Sequence, residues 1–479
     1  MIPEKREYDA IVVGSGPNGL AAAILMQQKG LSVLLIEGKN TIGGGLRSAE
    51  LTLPGYIHDI CSAVHPLAVS SPFFKTLPLA AHGLEFIYPQ IAAAHPFDNG
   101  TAALLKKSVI ETERSLGNNE NSYEKLISPV LSDWPLIASD ALGPLRFPGH
   151  PLRMVRFGKK ALTSASYLSG SLKSAEAKGF FAGMAAHAIQ PLSNLGTSAV
   201  ALVLLAAGHL QGWPAPKGGS ENIARALTSY FTSLGGKIET SFCVTSLAQL
   251  PSAKAVLFDV TPRQLLQIAG HKFSPLYKWQ LERYRYGMGV FKIDWALDAP
   301  IPFKADECRH AGTVHIGNTF KEIADGEQEI WEGKHAEKPF TLLAQPSIFD
   351  RTRAPENKHI AWAYCHVPQG SRKDMTTIIE NQVERFAPGF KETILARHTM
   401  DTTQMEAYNP NYIGGDINGG AMNIGQLFTR PALRLSPYKT SAKGIYICSS
   451  STPPGGGVHG MCGYHAAKKA LKDVFEIVV

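Results

Sequence analysis

An α/β fold built on a dinucleotide-binding unit is predicted by three observations. The amino end reads as strand, glycine loop, helix and strand; a middle segment returns to that pattern; and a proline-led glycine run opens a helix near the carboxyl end. The stretches between them carry antiparallel-strand and helix patterns, which predicts a second, α+β domain interleaved with the first. Residues 1–75, 214–275 and 401–479 are assigned to the nucleotide-binding domain, and residues 76–213 and 276–400 to the second domain.

The first unit is "YDAIVVGSGPNGLAAAILMQQKGLSVLLIE". Tyr8 to Val13 is a short apolar, β-branched run suited to a buried parallel strand, and Leu20 to Gln28 has helical spacing with small residues. Gly14, Gly16 and Gly19 form G-x-G-x-x-G, the Rossmann-type loop. The first glycine permits a tight turn, the second a close approach of backbone and Ser15 to a pyrophosphate, and the third close packing of helix on strand. Glu37 ends the second strand, where a carboxylate accepts from ribose hydroxyls and repels a 2′-phosphate, so NADP is not expected.

A second glycine cluster, Gly43, Gly44 and Gly45 in "GKNTIGGGLRS", has no role in a plain NAD fold. It resembles the G-G motif of the FAD-binding family that contains amine oxidases and carotenoid desaturases, where the motif runs along the FAD phosphates and ribityl chain. That resemblance implies FAD as the cofactor. The family's arginine directly after the G-G pair is replaced here by Gly45, so Arg47 is either its substitute or a surface cation. A second G-x-G-x-x-G is lacking, so one dinucleotide is expected, and electrons leave to oxygen, a quinone or a diffusible carrier.

In "PAPKGGSENIARALTSYFTSLGGKIETSFCV" a glycine turn, an amphipathic helix from about Glu221 to Leu234, a glycine break and a strand bring the chain back to the first domain. Between the returns, "LEFIYPQIAAAHPFDNGTAAL" reads as two strands around a turn at Asn99 and Gly100. "YGMGVFKIDWALDAPIP" and "HIAWAYCHVP" alternate as half-buried strands. An antiparallel sheet roofed by helices is expected, with Trp295, Trp362, Tyr364, Tyr286 and Phe291 as aromatic supply for an apolar pocket or simply for the core.

At 479 residues, 44% hydrophobic and 18% charged, the chain has the composition of an ordinary globular protein. Its net charge of +7 is spread out apart from Arg153, Arg156, Lys159 and Lys160, so nucleic acid is not indicated. The charged start "MIPEKREYDA" is not a secretory signal, and a cytoplasmic location is expected. Six cysteines without a C-x-x-C pair read as reduced thiols. His459, Cys462 and His465 match no metal-ligand spacing, so no metal is expected. The apolar run Gly196 to Gly208 falls short of the ~20 residues a spanning helix needs; it reads as a core helix or a membrane-dipping element. "PLRMVRFGKKALTSASYL" mixes basic and apolar residues as a membrane-surface helix does, which makes peripheral membrane contact an expectation.

Together, "GSGPNGLAAA", "GYIHDICSAVHP", "PKGGSENIARAL", "NPNYIGGDINGG" and "YICSSSTPPGGGVHGMCGYHAA" resemble the phytoene desaturase-related flavoproteins over nearly the whole chain. The resemblance implies that the backbone of Val244 meets the adenine. It also implies that the T-x-P-G-x-G-x-x-G pattern of Thr452, Pro454, Gly455, Gly457 and Gly460 places Gly456, Gly457 and Val458 at the flavin end. The implied chemistry is hydride transfer from a C–H bond of an apolar, polyene- or lipid-like substrate to flavin N5, with His459 as the acid–base candidate beside the ring or as a histidine that shapes the loop. A flavin-dependent isomerase or saturase, an amine oxidase and a non-catalytic FAD-holding protein are the alternatives.

Overall fold

The computed structural model describes residues 7–118 and 120–479, so the first six residues of the charged start lie outside the described residues. Among these residues a five-stranded parallel sheet runs in the order Ile445–Ile447, Ala253–Phe258, Tyr8–Val13, Val33–Ile36, Lys237–Glu239. Its strands come from the start, middle and end of the chain, and each inner pairing is parallel in register, Val12 lying between Leu35 and Leu257. Alternate residues serve opposite faces: Ala10 and Val12 pack with the Pro17–Gln28 helix, Ile11 and Val13 with Leu265, Ile268 and Leu281. Burial on both faces explains why this strand reads as an unbroken apolar run.

The Pro17–Gln28 helix starts on a proline whose missing N–H is no loss at a helix start. The carboxyl-terminal helix Met461–Phe475 lies directly on it. Gly463 permits the contact, since a Cβ there would fall 1.8 Å from the Asn18 carbonyl oxygen. Chain ends more than four hundred residues apart are thereby locked into one layer.

The second sheet has seven strands in the order Ile394–Met400, Gly289–Leu297, His359–Val367, Thr341–Ala344, Ala311–Ile316, Ile91–Pro96, Ala102–Leu105. It is antiparallel except where Ala311–Ile316 runs parallel to Ile91–Pro96. The expected half-burial of Gly289–Leu297 is corrected: all nine residues are buried. Phe291, Ile293 and Trp295 pack on Ile379, Val383 and Phe386 of the Thr376–Phe386 helix, while Val290 and Lys292 face an internal cavity rather than solvent. Polar residues on a strand can turn inward when they have partners there.

Helices Ala175–Ala186 and Thr197–Gln211 cover the cavity side of this sheet. The apolar run at Gly196 is therefore a core helix: Leu202, Leu205 and Ala206 are buried, and Val200 and Leu204 line the cavity. Among the described residues no helix is long and apolar enough to cross a membrane.

Candidate functional site

The three loop glycines are required by contact. Gly14 has φ +103°, and a Cβ on Gly16 would lie 2.7 Å from the Asp259 carboxylate; one on Gly19 would lie 1.9 Å from the Gly14 carbonyl oxygen. Gly14 donates to the Ile36 carbonyl at 2.8 Å, holding the loop against the second strand. Glu37 sits at the tip of that strand and accepts from Ser15 N–H (3.0 Å), Ser15 Oγ (2.5 Å), Lys39 N–H (2.9 Å) and Arg47 (3.2 Å). Four donors fill its lone-pair directions, so the rotatable Ser15 hydroxyl is the bond a ribose hydroxyl would replace.

Arg47 is a buried brace, not a surface cation. Besides Glu37 it donates to the carbonyls of Thr41 and Gly44, clamping the second glycine turn. Gly43 donates to Ser15 Oγ at 3.0 Å, and a Cβ on Gly44 would sit 2.9 Å from Gly16 Cα. The two glycine loops thus form one continuous backbone surface. Gly45, whose Cβ would fall 2.4 Å from the Tyr412 hydroxyl, completes it.

That surface opens into a cavity of about 750 Å³. Gly14, Ser15, Gly16, Glu37, Gly44, Gly45, Arg47, Val244, Gly456, Gly457 and Val458 all line it. Gly19 and Gly43 do not; they act from behind by letting the loops close. Residues from the first and last thirds of the chain meet at one site, and its glycine-loop backbone, strand-tip carboxylate and adjoining apolar chamber fit an FAD-type dinucleotide.

His459 lies outside the cavity lining, which corrects its placement as the acid–base residue. The ring is buried; its Nδ1 accepts the Met461 N–H at 3.0 Å, and the ring is also bonded to the backbone of Gly455 and Gly456. Burial lowers its pKa to about 4, so it is a neutral staple joining the glycine run to the helix start. Cys448 and Cys462 are also buried outside the cavity, Cys462 donating to the Thr452 carbonyl. Among the described residues no group of side chains could hold a metal ion.

Several site residues escape sequence reasoning. Asp259 lies beneath the first glycine loop, its carboxylate accepting the Gly19 N–H at 2.9 Å, and burial raises its pKa to about 7. Its signal was the strand "AVLFDVTP", where an acid closes an apolar run at the same level as Glu37. Lys292 is almost fully buried and lines the cavity, bonded at 2.5 Å to Asp294, which His398 approaches at 3.5 Å. Charged residues two apart in an apolar strand were the available signal.

The cavity floor is one row across the second sheet: His315 opposite Leu342, Leu342 opposite Tyr364, Tyr364 opposite Lys292. Trp362 stacks on Tyr364 with rings 5.7 Å apart and nearly parallel. Of the aromatic residues expected at a pocket, Trp362 and Tyr364 line it; Trp295 and Phe291 belong to the core beneath, and Tyr286 packs against Tyr284. Ile189, Val200, Leu204 and Trp213 close the inner chamber with His187. The cavity's lining carboxylates are Glu37 and Asp259, both at the glycine loops, so no carboxylate faces the inner chamber.

Residues 12–76 match the NAD(P)-binding Rossmann-like domain family. The chain is 25% identical to mouse pyridine nucleotide-disulfide oxidoreductase domain-containing protein 2, covering 98% of this chain and 94% of that protein. It is 22% identical to a lycopene-forming phytoene desaturase of Pseudescherichia vulneris over 96% of this chain and 98% of that one. Over nearly its whole length this chain is similar to the phytoene desaturase-related oxidoreductases. Its fold is that of a flavoprotein-type amine oxidase: putrescine oxidase, solved with putrescine bound, superposes with a TM-score of 0.64 at 16% identity over 98% of this chain and all of that one.

Proposed function

We propose that this relative of the phytoene desaturases is an FAD-dependent oxidoreductase that removes hydride from a C–H bond of an apolar substrate. The carrying observation is the shape and chemistry of this cavity: backbone cradle at one end, apolar chamber at the other, no carboxylate lining the chamber. An alkylammonium buried there would lose its hydration with no counter-charge, a cost of several kcal/mol. That argues against the amine substrates handled by structural neighbours.

The two glycine loops would hold the pyrophosphate, the Val244 backbone the adenine, and Gly456 to Val458 the isoalloxazine. When bound, FAD supplies the two-electron acceptor for hydride. The chain's part is placement and dryness. Trp362, Tyr364 and Leu342 form a flat floor against which a chain can lie, while Val200, Leu204 and Trp213 exclude water. Lys292, bonded to Asp294, gives the floor one fixed polar end.

The test is to release and identify the cofactor of the purified protein, then feed apolar candidates to oxidised and pre-reduced enzyme separately. FAD, with substrate consumed only by the oxidised form, supports the reading. Consumption only by pre-reduced enzyme makes it a saturase or isomerase, and consumption by neither a binding protein.

Delivery of such a substrate favours contact with a lipid surface. Phe147 and Leu152 are each 87% exposed, and Leu145, Val155 and Tyr167 stand out beside them. The Pro151–Ala161 helix anchors through Phe157 against Trp134 and leaves this face bare. From residue 141 to 175 the chain has six Lys and Arg; Arg146 pairs with Asp140 and Arg153 and Arg156 share Asp133, which leaves the face net positive, so we propose that it docks on an anionic phospholipid surface. The helix packs on Thr197–Gln211, whose Val200 and Leu204 line the cavity, which puts the docking face one helix from the substrate chamber.

A further inference from the structure

The inner chamber carries a polar feature that neither the cradle nor the apolar floor explains. His187 follows the Ala175–Ala186 helix, and its ring lines the chamber between Trp213 and Phe340. Its Nε2 lies 2.9 Å from Nε2 of His315, which is fully buried at the end of the floor row. Behind them His95 donates from Nε2 to the Asn318 carbonyl at 2.6 Å. Two glycines one helical turn apart make room for this column. A Cβ on Gly183 would fall 3.0 Å from His95 Nδ1 and 3.1 Å from His315 Nδ1, and one on Gly179 would fall 2.6 Å from the Asn318 carbonyl oxygen.

Burial holds the three imidazoles neutral, His187 and His95 with pKa values lowered to about 3 and 4 and His315 well below its ordinary value. Of the other titratable groups packed here, His366 bonds to Glu327 through Nδ1 at 2.7 Å, and its Nε2 has no partner among the described residues. A neutral His187–His315 pair has one proton between the facing nitrogens. Whichever ring donates, Nδ1 of His187 is left as the complementary donor or acceptor, and among the described residues the hydrogen bond of this ring is the one at Nε2. A polar atom in an apolar chamber is costly unless the occupant satisfies it.

We propose that the His187–His315 pair is a polar stop that hydrogen-bonds a neutral oxygen, a hydroxyl or a carbonyl, at the end of an otherwise apolar substrate. This rests on reading the cavity as the substrate site. It narrows that class from plain hydrocarbons to chains with an oxygenated terminus, and it excludes charged termini at this end, where neither ring carries charge to offset one.

Binding of 1-octanol and octane to the flavin-loaded protein, read from the fluorescence of Trp213 and Trp362 in the cavity wall, tests this without turnover. Comparing the ratio of the two affinities between variant and wild type cancels the difference in their hydrophobicity. In His187→Phe, and in His187→Met as a smaller apolar replacement, the octanol-to-octane ratio falls about tenfold, the worth of one buried hydrogen bond. In His187→Gln, which keeps a donor and an acceptor, it stays within about threefold of wild type. An unchanged ratio in the apolar variants, or an equal fall in His187→Gln, overturns the polar stop while leaving the apolar site standing. Failure of both probes to bind any form overturns the stop and the apolar-substrate reading together.

Discussion

Asp259 shows how one carboxyl couples the cofactor site to pH. With the native pKa raised to about 7 by burial and the unfolded value near 3.8, the folded protein keeps a proton that the unfolded chain loses between those pH values. Stability from this group therefore falls as pH rises from about 4 to 7 and levels off above. Asp259→Asn, whose side-chain oxygen still accepts from Gly19, removes that loss. Urea midpoints at pH 5 and 8 should show the variant gaining more on wild type at pH 8 than at pH 5; an equal difference at both would exclude the coupling. The pair Lys292 and Asp294 behaves differently, since each is the other's counter-charge in a nearly water-free place. Lys292→Met strands the carboxylate and should cost about 3–5 kcal/mol in unfolding free energy. Adding Asp294→Asn should recover much of it, and a double variant no more stable than the single would contradict the pairing.

Whole elements carry the joint between the chain ends. The Met461–Phe475 helix can lie on Pro17–Gln28 only while residue 463 has no side chain, because the Asn18 carbonyl occupies the place of its Cβ. Gly463→Ala should push the helices apart and carry Gly456 and Gly457 away from the first glycine loop. Thermal unfolding should drop by several degrees and the purified protein should lose flavin on dilution; retained flavin at an unchanged midpoint would mean the joint tolerates the shift. Elements also mark what a sequence can reveal. The glycine loops are legible because backbone approach admits only one residue type, so Gly14, Gly16, Gly44 and Gly457 announce themselves. The cavity floor is not, since Leu342, Tyr364 and Lys292 meet through strand register, and register is a tertiary choice. The strand holding Lys292 and Asp294 reads as half-buried for the same reason, and His459, conspicuous in its loop, is a loop staple because its ring finds backbone partners.

At the scale of the molecule, a parallel sheet supplies the cradle, a mixed sheet supplies the floor, and a basic, apolar face stands one helix away from the chamber. That arrangement predicts co-sedimentation with phosphatidylglycerol-containing vesicles and little with phosphatidylcholine alone, lost in the Phe147→Ser, Leu152→Ser double variant. Concentration-dependent dimerisation abolished by the same changes would instead assign the face to a second copy. The central claim is that the chamber presents a C–H bond of an apolar molecule to a bound flavin. Anaerobic mixing of the flavin-loaded protein with a matched pair, a long-chain polyene or lipid alcohol and an alkylamine of the same carbon number, tests it most directly. Bleaching of the flavin band by the first and not by the second is the predicted result; bleaching by the amine alone would contradict it.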